Sequence, residues 1–174
     1  ADIAVKYGAK VPFFRSEKTA NDYATTADVI EEVINMYDER GRIYDYICCL
    51  YPTAPFVSET AINTAMKTLI DSDADTVLPV VKFSFPPQRS LVEKDGYLQA
   101  KYPEMMPKRS QDLEAMYHDC GQFYCLRTES FKLQKKVVMD KTLPFFQEEI
   151  NVQDIDTFED WEIAEMKYKI LHNK

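Results

Sequence analysis

Long apolar runs, clustered basic residues, paired cysteine motifs and glycine-rich loops are all missing from this chain of 174 residues. No stretch approaches the roughly 20 apolar residues that cross a bilayer, and no signal peptide opens the sequence, so a cytoplasmic protein is expected. Basic residues number 21 against 29 acidic ones, a formal charge of −8, and they form no block. Proteins that track a phosphate backbone draw their affinity from clustered Lys and Arg, which argues against nucleic acid as a partner but not against one nucleotide at a local site. The four cysteines, Cys48, Cys49, Cys120 and Cys125, lack the C-x-x-C spacing of zinc or dithiol chemistry. They read as small buried thiols in a reducing compartment. The four glycines, Gly8, Gly41, Gly96 and Gly121, stand alone, so no loop of successive N–H groups is available to cradle a triphosphate.

What is present suffices for one domain of ordinary size with a continuous core. "ADIAVKYGAK" reads as a helix in progress, with Ile3, Ala4 and Tyr7 at helical spacing and Gly8 as its stop. In "TTADVIEEVINMYDERG" the residues Val29, Ile30, Val33, Ile34 and Tyr37 recur at helical spacing, Thr25 or Thr26 offers an N-cap, and Gly41 suits the far end. "YDYICCLYP" is a continuous apolar run closed by Pro52, which predicts a buried strand of a parallel sheet. Ser58 precedes a helix over "ETAINTAMKTLI", with Ile62, Ala65, Met66 and Leu69 on one face, and "ADTVLPVVKF" predicts a second buried strand. Helix, strand, helix, strand in that order predicts βαβ units and a three-layer α/β sandwich.

Between Ser84 and about His118 the pattern breaks. Pro86, Pro87, Pro103 and Pro107, alternation in "SLVEKDGYLQAKY" and the dipeptide Asp95-Gly96 predict a β-hairpin excursion from the sheet. "GQFYCLRTESF" returns as a strand. Thr157 begins the last helix, Asp160 completes a capping box with it, and Trp161, Ala164, Tyr168 and Leu171 form an apolar stripe.

Four groups of residues could carry chemistry. Asp154 and Asp156 precede that last helix, and in extended chain residues i and i+2 point to one side, where two carboxylates could hold one hard cation; equally, they could favour the helix dipole or stay solvated. The loop "RSEKTANDYATT" brings Arg15, Asn21, Asp22, Thr25 and Thr26 to a helix N-terminus suited to an anion, or to ordinary capping. "LYPTAP" follows a strand at the edge where doubly wound sheets bind ligands, or it simply turns the chain. "RSQDLEAMYHDCGQFY" gathers Arg109, Gln111, Asp112, His118 and Asp119, with His118 as a base or as a hydrogen-bonded structural residue.

Taken together, "VPFFRSEKTANDYATTADV", "YPTAPF", "VVKFSFPPQRSL", "RSQDLEAMYHDCGQFY" and "NVQDIDTFEDWEIAE" resemble, in order and spacing, the nucleotide-sugar cytidylyltransferases that activate nonulosonic acids. The pseudaminic acid branch is most similar, beside the CMP-sialic acid synthetases. The resemblance implies a three-layer α/β/α nucleotidyltransferase sheet of Rossmann-like type, N-terminally truncated, with residues 84–118 as an inserted dimerisation excursion. It implies transfer of CMP from CTP to a nonulosonic acid, pseudaminic acid favoured, with Mg²⁺ and release of pyrophosphate, for surface or flagellar glycan synthesis.

By position within each motif, Arg15, Asp22 and Thr26 would contact the nucleotide, and Asp154 and Asp156 would hold the metal as the catalytic pair. Tyr51, which stands where sialic acid synthetases carry Gln, would face the sugar with Arg89, Arg109, Gln111 and His118. A homodimer is implied, with no nucleic acid and no membrane. The family's first strand and glycine-rich basic loop have no counterpart here, so the resemblance also implies slow pyrophosphate release by this chain and a strand edge left unpaired. Two alternatives are a non-catalytic dimeric remnant and an enzyme for sialic or legionaminic acid.

Overall fold

The structure is a computed structural model that describes residues 1–172. In chain order the elements are α1 (Asp2–Lys6), α2 (Thr26–Asp38), β1 (Tyr46–Leu50), α3 (Glu59–Ile70), β2 (Thr76–Lys82), β3 (Leu91–Lys94), β4 (Tyr97–Ala100), β5 (Tyr117–Asp119), β6 (Phe123–Arg127), α4 (Thr128–Gln134), β7 (Thr142–Phe146) and α5 (Phe158–His172). The starts of α2 and α3 follow the sequence, whereas the strand expected over "GQFYCLRTESF" ends at Arg127 and its last four residues open helix α4. Thr25 is the N-cap of α2 in a full capping box with Asp28, and Ser58 Oγ accepts from Ala61 N at 3.1 Å to start α3.

Helices cover both faces of the sheet. On one face Ile30 and Ile34 of α2 and Phe131 of α4 pack on Leu78, Tyr124 and Leu126. On the other Ala65 and Leu69 of α3 pack on Val77, Phe123 and Cys125. Neighbours along β6 alternate between the two cores, as the pleat requires. The three-layer α/β arrangement expected from the sequence is therefore present.

Strand direction is a correction. β1 and β2 were expected in βαβ units of a parallel sheet; they do run in the same direction, but β6 lies between them and is antiparallel to both, with Cys48 opposite Cys125 and Val77 opposite Cys125. Among the described residues the one parallel pairing is that of β2 with β7, a strand the sequence pattern does not predict, with Val77 opposite Leu143. A run that is apolar on both faces reports two covered faces, and helices on both sides cover them whatever the strand direction. β1 is also less buried than expected. Its outer edge pairs with no strand among the described residues, which leaves Cys48 exposed and Cys49 half-buried while Cys120 and Cys125 are buried. Along that edge runs a groove of about 300 Å³ walled by Val29, Val33 and Tyr37 of α2 and by Ile47 and Cys49 of β1.

β5 and β6 form one broken strand against β2. From Val77 to Val80 β2 advances three residues while its partner advances six, from Cys125 to Asp119. The surplus is a bulge at Cys120–Gln122, where Gly121 takes φ +61° and Cys120 Sγ donates to the Pro79 carbonyl at 3.3 Å. The predicted hairpin forms as β3 and β4, with Asp95 and Gly96 both at positive φ, as a type I′ turn demands. α5 departs from its expected stripe: Ala164 is 6 % exposed, but Trp161 and Tyr168 lie more than half open. The helix is tied to the loop before it by Lys167 Nζ donating to the carbonyls of Glu149 and Val152 at 2.9 and 2.7 Å.

Candidate active site

The N-terminus of α2 is built by its preceding loop. Glu32 in the second turn of α2 accepts from Ser16 N at 2.6 Å, from Ser16 Oγ at 3.0 Å and from the buried Thr19 hydroxyl. Those bonds, the Thr19 one first, hold its carboxyl below the usual glutamate range. Arg15 donates to the Thr19 carbonyl at 2.9 Å and stays exposed. Asn21 shapes the turn by accepting from Tyr23 N and Ala24 N at 2.8 and 3.1 Å, and the adjacent Asp22 is exposed.

Thr26, the first helical residue, shares a short hydrogen bond with the hydroxyl of Tyr51. Tyr51 follows β1 directly and is pinned by its N–H donating to the Gln122 carbonyl at 2.9 Å. Its ring meets Tyr124 edge-on, with centroids 5.5 Å apart. The Tyr124 hydroxyl donates to Asp119 Oδ2, and Asp119 Oδ1 accepts from Gly121 N at 2.9 Å. Burial, and then the Asp119 carboxylate, push the Tyr124 phenol far above its ordinary value, so it remains a donor. Thr26, Tyr51, Tyr124, Asp119 and Gly121 thus form a continuous chain of contacts across the end of the sheet.

Asp154 reaches that chain at Gly121. Burial, and then the like charge of Asp156, raise the Asp154 carboxyl above the usual aspartate range, with Asp119 and Asp160 adding to the effect. Among the described residues no Lys or Arg pairs with either Asp154 or Asp156. Asp160 is spoken for as the capping carboxylate of α5, accepting from Thr157 N at 2.8 Å and from Asp156 N at 3.2 Å. Neighbouring carboxylates with no counter-cation are a donor set that fits a hard divalent ion. No three His, Cys, Asp or Glu side chains converge into a closed cage among the described residues. An open two-carboxylate site is what Mg²⁺ commonly uses, keeping its remaining positions for water and phosphate oxygens.

The excursion gathers the other sequence candidates separately. Arg89 donates to Ser110 Oγ at 3.1 Å and lines an open cleft of about 330 Å³ with Phe83, Phe85 and Pro87. Gln111 lines an adjoining cleft of about 50 Å³. Arg109 forks onto Asp112, Nε to Oδ2 at 2.7 Å and Nη2 to Oδ1 at 3.1 Å, on the open surface. His118 packs against Phe83 with the rings tilted by 52° and their centroids 4.8 Å apart, and its Nδ1 lies 2.8 Å from the Asp119 carbonyl. His118 and Asp119, consecutive in β5, are the junction between the cleft and the aspartates. Gly121 and Tyr124 carried no functional reading in the sequence; an Asp two residues before an isolated Gly, at the mouth of an apolar strand, is the signal of the turn that joins them.

A protein-family model described as cytidylyltransferase matches residues 1–160. The chain belongs to the cytidylyltransferase family. It is 32% identical over 172 residues, covering 98% of this chain and 74% of the relative, to the pseudaminic acid cytidylyltransferase of Campylobacter jejuni serotype O:2. Similar identity, 31% over 177 residues and 72% of the relative, links it to the CMP-N,N'-diacetyllegionaminic acid synthase of Legionella pneumophila. A third relative, 30% identical over 168 residues that make up 31% of its length, is a Helicobacter pylori protein named for both a pseudaminic acid cytidylyltransferase and a hydrolase. This cytidylyltransferase is accordingly a nucleotidyltransferase, and none of its described helices is long and apolar enough to cross a membrane.

Proposed function

We propose that this cytidylyltransferase transfers CMP from CTP to a nonulosonic acid, with pseudaminic acid as the favoured acceptor. The observation that carries the reading is the meeting of Thr26 with Tyr51 and of Gly121 with Asp154 at one end of the sheet. A residue assigned to the nucleotide touches a residue assigned to the sugar, one short network away from two unpaired carboxylates.

In the reaction a sugar hydroxyl oxygen bonds to the α-phosphorus of CTP as the bond to pyrophosphate breaks. The protein's share is positioning and charge neutralisation. Arg15 and the start of α2, with Thr26 and Asp22, face the nucleotide. Tyr51, His118, Arg89, Arg109 and Gln111 face the sugar acid, whose carboxylate suits a guanidinium fork. Asp154 and Asp156 hold Mg²⁺, which when bound neutralises phosphate charge.

A homodimer is part of the proposal, with residues 84–118 crossing to a second copy. Its support is that excursion, where Phe85 ahead of the hairpin and Tyr97 and Leu98 on it are 88, 74 and 69 % exposed. A cytoplasmic location suits a CTP-dependent enzyme with four unpaired thiols.

The test is a panel of pseudaminic, legionaminic and sialic acids, each read by saturation-transfer NMR for binding and, with CTP and Mg²⁺, for pyrophosphate release. Pseudaminic acid is expected to give the strongest response. Equal responses to all three, or none to pseudaminic acid, overturn the substrate assignment. The similarity to a legionaminic acid synthase makes that sugar the second reading.

A further inference from the structure

The bulge between β5 and β6 seats the loop that carries the aspartates, and each of its three residues takes part. Cys120 packs with Val152 and Val81 in a small buried cluster. Gln122, 2 % exposed, donates from Nε2 to the Asn151 carbonyl at 3.2 Å. Between them, Gly121 faces the Asp154 carboxylate. A side-chain carbon at position 121 would stand 2.8 Å from Asp154 Oδ2, 2.9 Å from its Cγ and 3.0 Å from its Oδ1. The first two are closer than non-bonded contact allows, and the third is at its limit.

The flanking anchors fix the loop backbone only two residues before Asp154. What must yield to a larger residue at 121 is therefore the carboxylate itself, the mobile end of a side chain. We propose that Gly121 is a positioning residue for Asp154: its missing side chain lets the carboxylate lie against the bulge in the place from which it binds a divalent cation. This rests on the metal assignment to Asp154 and Asp156. Gly121 touches neither substrate nor metal and acts only through Asp154. The left-handed φ of +61° is a second demand for glycine, and it is separable from the first by experiment.

The experiment measures Mn²⁺ binding to the chain without substrate, by electron paramagnetic resonance of the free ion, for the wild type, Asp154→Asn and Gly121→Ala, beside a thermal melt of each. The expected result is cation binding by the wild type, loss in Asp154→Asn, and affinity about tenfold to a hundredfold weaker in Gly121→Ala with a cooperative melt retained. Binding by Gly121→Ala equal to the wild type overturns the inference and leaves the metal assignment standing. Equal binding by the wild type and Asp154→Asn overturns the metal assignment and the inference with it. If Gly121→Ala does not fold, the double variant with Asp154→Ala decides: recovered folding supports the steric account, and continued unfolding assigns the glycine to its backbone alone and overturns it.

Discussion

The bulge at Cys120–Gln122 and the hairpin of β3 and β4 are both departures from the regular sheet, and they have opposite surroundings. The bulge is inserted against β2, its three residues are buried, and its polar groups are matched within the chain. The hairpin satisfies its own ladder and its tip, yet turns aromatic and aliphatic side chains to solvent. An isolated two-stranded hairpin is marginal in water, so its apolar face calls for another surface. The difference teaches a division of labour. On the roles proposed above, the groups that hold a metal sit where backbone is pinned on several sides, and the groups that meet a second copy sit where the chain is free.

The largest expected effect breaks the bulge side of that comparison. In a chain supplied with the family's first strand and glycine-rich loop, Asp154→Asn with Asp156→Asn abolishes pyrophosphate release in a CTP assay, while circular dichroism shows the fold intact, because two repelling carboxylates contribute no net attraction to it. Next comes the hairpin side: Tyr97→Lys with Leu98→Lys converts dimer to monomer in light scattering, without loss of the cooperative melt. An unchanged mass would show that the hairpin is no interface.

Smaller effects sharpen the contrast. Tyr124→Phe leaves the Asp119 carboxylate without its phenolic donor and is expected to cost about 1.5 to 3 kcal/mol in urea unfolding. Thr25→Ala removes the capping box of α2 and should cost about 1 kcal/mol by the same measurement.

The smallest effect is a pH dependence. The Asp154 carboxyl is raised in the folded protein, so it favours folding at acid pH, and that contribution fades as pH climbs through its folded value. Melts in metal-free buffer from about pH 4 to about pH 7 should show Asp154→Asn gaining on the wild type as pH rises. A constant difference would remove the burial and like-charge account of Asp154.

Much of this was legible in the chain. Period 3.6 at Ile30 and Ile34, and at Ala65 and Leu69, marked the helix faces that are buried; Thr25, Ser58 and Thr157 marked where helices start; Asp95-Gly96 marked the hairpin. Such features are local, decided by residues within a turn or two. β7 was not legible, because Pro144 and its half-exposed pattern mimic a loop and only pairing with β2 makes it a strand. The open stripe of α5 was not legible either, since periodicity states which face is apolar and not whether anything covers it.

The sequence by itself determined α2, α3 and α5 and their caps, the two-sided burial of β2, and the two carboxylates at the mouth of the last helix, because neighbouring residues set each of these. Only the tertiary structure decided that β6 enters antiparallel between β1 and β2, that a bulge breaks β5 from β6, and that Gly121 leaves room for Asp154. The physical reason is distance along the chain. Gly121 and Asp154 meet through strand register and a loop anchored by Gln122, and no local pattern encodes where two such segments come to rest.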